Sequence, residues 1–185
     1  MLTCFSKLRY LAPGFIFLCL IMPQAVAEDV DAGEAKVVAA CIYNFAKFVD
    51  WPETVDSLDL CVLGASPVTR FLVDFQGSRI QGKPIDVKVY HDARLAGDCE
   101  AVFVSESETD NLTTHMQSLQ KGRSLTISTT AGFSRQGGII ELYWSDETVA
   151  FFIHAENARA GGLDISSKLM RLSGQAPPHS PDGRK

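Results

Sequence analysis

Through Ala35–Pro52, AKVVAACIYNFAKFVDWP, the apolar residues Val38, Cys41, Phe45 and Phe48 recur at three- and four-residue steps, and Val37, Ile42 and Val49 widen the band. That spacing predicts an amphipathic helix of roughly four turns with one side to be buried. Lys36, Lys47 and Asp50 fall on other parts of the wheel. Trp51-Pro52 is expected to end the helix, because the residue before a proline is pushed out of the α region. Leu58–Leu63 then reads as a short strand. A helix feeding a strand through a proline corner predicts the first two pieces of a helix-on-sheet layer.

The same alternation of patterns continues. Ser66 and Pro67 predict the cap and first residue of a helix carrying Val68, Phe71, Leu72 and Phe75, closed by Gly77. Ile85, Val87 and Val89 alternate with polar residues as in a strand, His91–Asp98 reads as a polar loop, and Ala101–Val104 is a short apolar run of the kind buried on both faces. Leu112–Leu119 predicts a helix stopped at Gly122, and Leu125 with Ile127 another strand within Ser124–Thr129. From Gly137-Gly138 the rhythm changes. Ile139–Trp144, a turn at Ser145-Asp146-Glu147, and Val149–Ile153 predict an antiparallel hairpin, followed by a helix over Ala155–Ala160, a break at Gly161-Gly162, and a last helix through Ile165, Leu169, Met170 and Leu172. The expected fold is α/β: a three-layer α/β/α sandwich with a mixed, mainly parallel sheet and a C-terminal antiparallel hairpin.

The opening residues carry a different signal. Lys7 and Arg9 precede the mostly apolar Leu11–Met22, and Ala25-Val26-Ala27 is a small-x-small site before Glu28. This predicts a secretory signal peptide over residues 1–27, a single α/β domain over 28–173 and a disordered, proline-rich tail over 174–185. Leu18 is too bulky for the position before Cys19 in a lipobox. The expected location is the periplasm. The net charge of −5 becomes −7 once a leader with two basic and no acidic residues is removed. An acidic chain without clustered Lys and Arg argues against nucleic-acid binding.

Three cysteines, Cys41, Cys61 and Cys99, remain after the leader, so one pair and one single is the simplest outcome in an oxidising compartment. Cys61 lies in one predicted strand and Cys99 just before another, and they meet if those strands are neighbours. The search for chemistry excludes more than it finds. There is no G-x-S-x-G elbow, no C-x-x-C, no P-loop and no G-x-G-x-x-G. His91, His115, His154 and His179 lack zinc-type spacing, and the acidic Ser105–Asp110 lacks the ligand order of a calcium loop. No cofactor or metal is expected, and the reading moves from catalysis to binding.

Taken together, ACIYNFAKFVDWP (Ala40–Pro52), LCVLG (Leu60–Gly64), CEAVFVS (Cys99–Ser105), GFSRQGGII (Gly132–Ile140) and FIHAENARAGGLDISSKLMRL (Phe152–Leu172) resemble, in order, the YfiR-like family of small periplasmic proteins. The resemblance implies a dimeric regulator that represses an inner-membrane diguanylate cyclase through its periplasmic sensor domain, and that an outer-membrane lipoprotein can sequester. It implies a Cys61–Cys99 disulfide; a second family disulfide has no counterpart, since only Cys41 is left. In the last block Glu156, Arg159, Ile165, Ser166, Lys168 and Leu169 are the candidate partner contacts, with Arg171 beside them, while Leu163, Ile165, Leu169 and Leu172 also recur as in a core-facing helix. The alternative is a periplasmic small-molecule sensor reporting to a membrane kinase or cyclase, because α/β sheets carry ligand crevices at strand ends.

Overall fold

A computed structural model describes residues 26–145, 148–175 and 177, with side chains from Ala32 onward. The expected leader lies outside the described residues up to Ala25, as do the hairpin tip Asp146-Glu147 and most of the expected tail.

The first helix, α1, spans Val26–Ala46 and ends well short of Pro52. Its last turn tightens, with the N–H of Lys47 donating to Asn44 O at 3.1 Å and that of Phe48 to Phe45 O at 2.9 Å. The buried Trp51 indole N–H donates to Ala46 O at 2.7 Å, so a tryptophan from beyond the helix satisfies a terminal carbonyl. The helix therefore stops by being capped from below, and Val49 is free to form a bridge elsewhere. Val38, Ala39, Ile42, Phe45 and Ala46 face the core, whereas Val37 is 43 % exposed and Cys41 half-buried, so the buried face is narrower than the apolar band.

The strands are β1 (Leu58–Leu63), β2 (Arg79–Ile80), β3 (Lys83–Tyr90), β4 (Ala101–Val104), β5 (Leu125–Ser128), β6 (Ile140–Ser145) and β7 (Thr148–Ile153). They form one sheet in the order β2-β3-β1-β4-β5-β6-β7. The five strands from β3 to β6 are parallel, and an antiparallel strand closes each side. Along β1, Leu58, Leu60 and Val62 join one core cluster while Cys61 and Leu63 join another; along β4, Ala101 and Phe103 part from Val102 and Val104 in the same way. This period of two places a core on each face of the sheet. The larger core holds α1, α2 (Val68–Leu72, extended by a 3₁₀ turn to Phe75), α5 (Ala155–Ala160) and α6 (Ser167–Leu172); the smaller holds α3 (Ala93–Ala96) and α4 (Leu112–Leu119). The fold is the expected α/β class with a mixed sheet and a C-terminal hairpin.

Three local features differ from the sequence reading. α3 forms inside the expected polar loop, because the Asp92 carboxylate accepts the N–H of Arg94 and Ala93 and Ala96 bury against the sheet. β2 pairs with β3 through a tight turn in which Gln81 and Gly82 both have positive φ, at 51° and 80°, the geometry that two-residue hairpins require. Ile165 belongs to a bridge and not to the last helix, which starts at Ser167.

Adjacency of β1 and β4 brings Cys61 and Cys99 together in a disulfide with Cα atoms 6.2 Å apart. Cys41 is free, and burial pushes its thiol pKa up.

Candidate partner-binding surface

The C-terminal block is anchored by long-range bonds from three directions. Val49 and Ile165 form an antiparallel bridge, flanked by Asp50 N–H to Asp164 O at 2.9 Å and Ser166 N–H to Phe48 O at 2.8 Å. The end of α1 and the start of α6 are thus one piece. Ser166 also caps α6 by accepting the N–H of Lys168 at 3.3 Å. Upstream, His154 Nδ1 accepts the N–H of Asn157 at 3.3 Å and caps α5. The Asn157 amide donates to Ser134 O at 2.9 Å and Gly138 O at 2.7 Å, and the Arg123 guanidinium donates to Gly162 O at 2.6 Å.

Beneath Asn157 lies a feature that the sequence reading missed. Glu141 on β6 is 2 % exposed and has no cationic partner among the described residues. Its carboxylate instead accepts Gly132 N–H at 2.8 Å, Ser134 N–H at 3.0 Å and the Ser134 hydroxyl at 2.6 Å. Three donors on one buried carboxylate offset its desolvation and fix the turn Phe133–Gln136. A Cβ on Gly138 would stand 2.2 Å from the Phe133 ring, so Gly138 is a packing need, while Gly137 closes the turn with a φ of 99°. Only the three-residue spacing of Ser134 from Gly137 hinted at a turn; nothing local marked Glu141 as buried.

On this frame the expected contact residues separate. Glu156 and Arg159 are exposed on α5, and Lys168 is exposed on α6 with its ammonium 5.8 Å from the Phe48 ring centroid. Ile165 and Ser166 are half-buried. Leu169 is 3 % exposed and packs in the larger core; the exposed apolar residue of α6 is Leu172, at 64 %. Arg159, Lys168 and Arg171 take part in no ion pair among the described residues. Phe48 lies beyond the end of α1 yet stays partly buried against the larger core, with its ring beside Lys168. The arrangement is a set of exposed basic side chains, Arg159, Lys168 and Arg171, near half-buried Phe48 and exposed Leu172, a composition suited to a protein contact.

The ends of the parallel strands are closed instead. In this strand order the topological switch lies between β1 and β4, where doubly wound sheets hold ligands. Here Ala65 N–H donates to the Ser107 hydroxyl at 3.0 Å, and the Ser107 and Glu108 side chains lie against Gly64, whose φ is 90°. Glu108 continues to His115 Nε2 at 2.9 Å, while Ser107 contacts Glu108 at 3.2 Å, so the carboxylate separates hydroxyl from imidazole. The hydroxyl therefore has no contact with the imidazole, which a Ser–His pair would need. Among the described residues no group of three His, Cys, Asp or Glu is placed to hold a metal ion.

A family model described as YfiR/HmsC-like matches residues 35–174. The chain belongs to the YfiR/HmsC-like family. Membership in this family suggests a periplasmic regulator of cyclic di-GMP signalling, and the family is regulatory, not catalytic. No curated protein matches the chain. Two solved structures are similar: a conserved domain protein from Vibrio cholerae O1 biovar El Tor, with 7 % identity, a TM-score of 0.51 and coverage of 75 % of this chain and 58 % of that one; and an ABC domain in complex with L-Trp from Streptococcus pneumonia, with 10 % identity, a TM-score of 0.52 and coverage of 76 % and 59 %. The chain spans less than two thirds of either protein, and at these identities the likeness is one of fold. Among the described residues no helix is long and apolar enough to cross a membrane. All five sequence blocks that resemble the YfiR-like family have structural roles: the capped helix end, the two disulfide strands, the turn held by Glu141, and the anchored C-terminal block.

Proposed function

We propose that this protein, exported as a single module from Glu28, represses an inner-membrane diguanylate cyclase by binding its periplasmic sensor domain, and so lowers cyclic di-GMP. The observation that supports the reading is the bridge Val49–Ile165, which joins two of the family-like blocks and holds the exposed Lys168 beside the half-buried Phe48 ring. A soluble repressor shifts a cyclase only through its difference in affinity for the active and inactive arrangements. Moving the population from 1:99 to 99:1 takes about 5.5 kcal/mol of such preference. A few anchor residues of roughly 2 kcal/mol each supply that. The working form is a homodimer, and an outer-membrane lipoprotein that binds the same dimer relieves repression by mass action.

Deleting the gene raises cyclic di-GMP, and a chain carrying Arg159→Ala and Lys168→Ala together folds normally yet fails to restore the low level. An unchanged level in the deletion strain refutes the repressor role; full complementation by the double variant refutes the surface. The small-molecule sensor is supported by the L-Trp-bound streptococcal domain as a precedent of fold. The side chains that close the β1–β4 switch point count against it there. Native mass spectrometry with L-Trp added separates the two, a retained ligand favouring the sensor.

A further inference from the structure

Between β4 and α4 the chain makes a 3₁₀ segment, Glu106–Asn111, that contributes no buried side chain of its own. Apolar burial therefore does little to keep it in place. Its attachments are polar. Just before it, Ser105 is tied to β1 by its N–H to Leu63 O at 3.0 Å and its hydroxyl to Ala65 O at 2.5 Å. Within it, Ser107 Oγ accepts the Ala65 N–H at 3.0 Å, and the Glu108 carboxylate, lying against Gly64, meets His115 Nε2 of α4 at 2.9 Å. Lifting Ser107 and Glu108 away uncovers the main chain of Gly64 and Ala65 at the topological switch point.

Of these attachments only the one to His115 changes charge near neutrality. Its side chain is 13 % exposed and that of Glu108 17 %, so the pair is sheltered from the screening that weakens surface ion pairs. A neutral ring meets the carboxylate in an ordinary hydrogen bond, a protonated ring in a charge-assisted one. The surroundings favour the cation. At the cap of α3, Asp92 supplies a second carboxylate, held down by its bonds to Arg94 and further by the charge of His115. α4 has no other ionisable side chain, and the sheet contributes the Tyr90 phenol, packed against the smaller core. His91, Glu106 and Asp110 are exposed, as is Arg135 on the turn that Thr113 of α4 reaches through Gln136, and none of these four makes an ion pair among the described residues.

We propose that Glu108–His115 is a pH-sensitive latch: protonated His115 holds Glu106–Asn111 down on the switch point, and deprotonation loosens the segment and opens the main chain of Gly64-Ala65. The imidazolium is present at the acid end of the imidazole range and is lost as pH rises through it, so the latch is tighter at about pH 5.5 than at about pH 7.5. It works within one chain and needs no partner, so its test stands apart from the cyclase reading.

Amide hydrogen exchange on the purified chain reads the latch as the protection of Ala65 N–H, with Val62 in the buried middle of β1 as the reference. From about pH 5.5 to about pH 7.5 the Ala65 protection factor falls roughly fivefold while that of Val62 holds. His115→Gln and Glu108→Gln each remove one charge of the pair, and both flatten the pH dependence. In the unaltered chain the His115 ring resonances titrate with the same midpoint as the Ala65 protection. A pH-independent Ala65 protection overturns the proposal, as does a dependence that survives in both variants. Different midpoints for His115 and Ala65 overturn it without any variant, and so does a parallel fall at Val62, which shows the whole fold loosening.

Discussion

Removing the disulfide tests how this sheet is held. Cys61 and Cys99 are 38 residues apart in sequence, and their bond encloses α2, β2, β3 and α3 in one loop. Closing a loop of that length removes about 13 cal/mol/K from the unfolded chain, or about 4 kcal/mol at 25 °C. In a Cys41→Ala background, which prevents exchange with the free thiol, Cys61→Ala/Cys99→Ala is expected to lose that amount in urea unfolding. With an m-value of about 2 kcal/mol/M the midpoint falls by about 2 M. The m-value itself rises, because the unfolded chain is no longer looped. Both cysteines are buried, at 1 % and 4 % exposure, so reductant alone acts on the folded protein only through opening. A loss below about 1 kcal/mol with an unchanged m-value would refute the reasoning, by showing that the unfolded chain is already constrained or that the native state gains on release.

Further outcomes follow from single contacts. Glu141→Gln presents an amide NH₂ or loses an acceptor toward Ser134, and should cost about 1–3 kcal/mol by leaving a buried donor unmet; an unchanged urea midpoint would contradict the clasp. Gly138→Ala presses a methyl group onto the fully buried Phe133 ring and should cost about 1–3 kcal/mol, read as a fall in Tm. The side chain of Arg94, bonded to Asp92, lowers the Asp92 carboxyl pKa to about 2. Because the folded value lies below the unfolded one, this pair's contribution is present above about pH 4 and lost as pH falls towards 2; NMR titration should show it, and Arg94→Ala should raise the Asp92 value while the main-chain N–H of residue 94 still lowers it.

How much of this was legible depends on the range over which each feature is decided. The two strongest patterns, three-and-four spacing in α1 and alternation in β3, are local, and both elements form, although Val89 of the alternating set is 46 % exposed. Where several local signals compete, the outcome changed. Pro52 was the strongest stop signal near α1, yet the helix ends earlier because Trp51 reaches back to Ala46. Leu169 fits both a contact and a core-facing spacing, and the packing of α6 places it in the core while leaving Lys168 and Leu172 outside.

The chain by itself determined the alternation of helix and strand, the layered α/β class and the absence of a familiar catalytic signature, because torsional preference and hydrophobic period act between near neighbours. Only the tertiary structure decided the strand order, the adjacency that lets Cys61 meet Cys99, the burial of Glu141, and the bridge of Val49 to Ile165. These depend on which strand edges and helix ends come together across dozens of residues, and no local pattern records a contact whose partner lies that far along the chain.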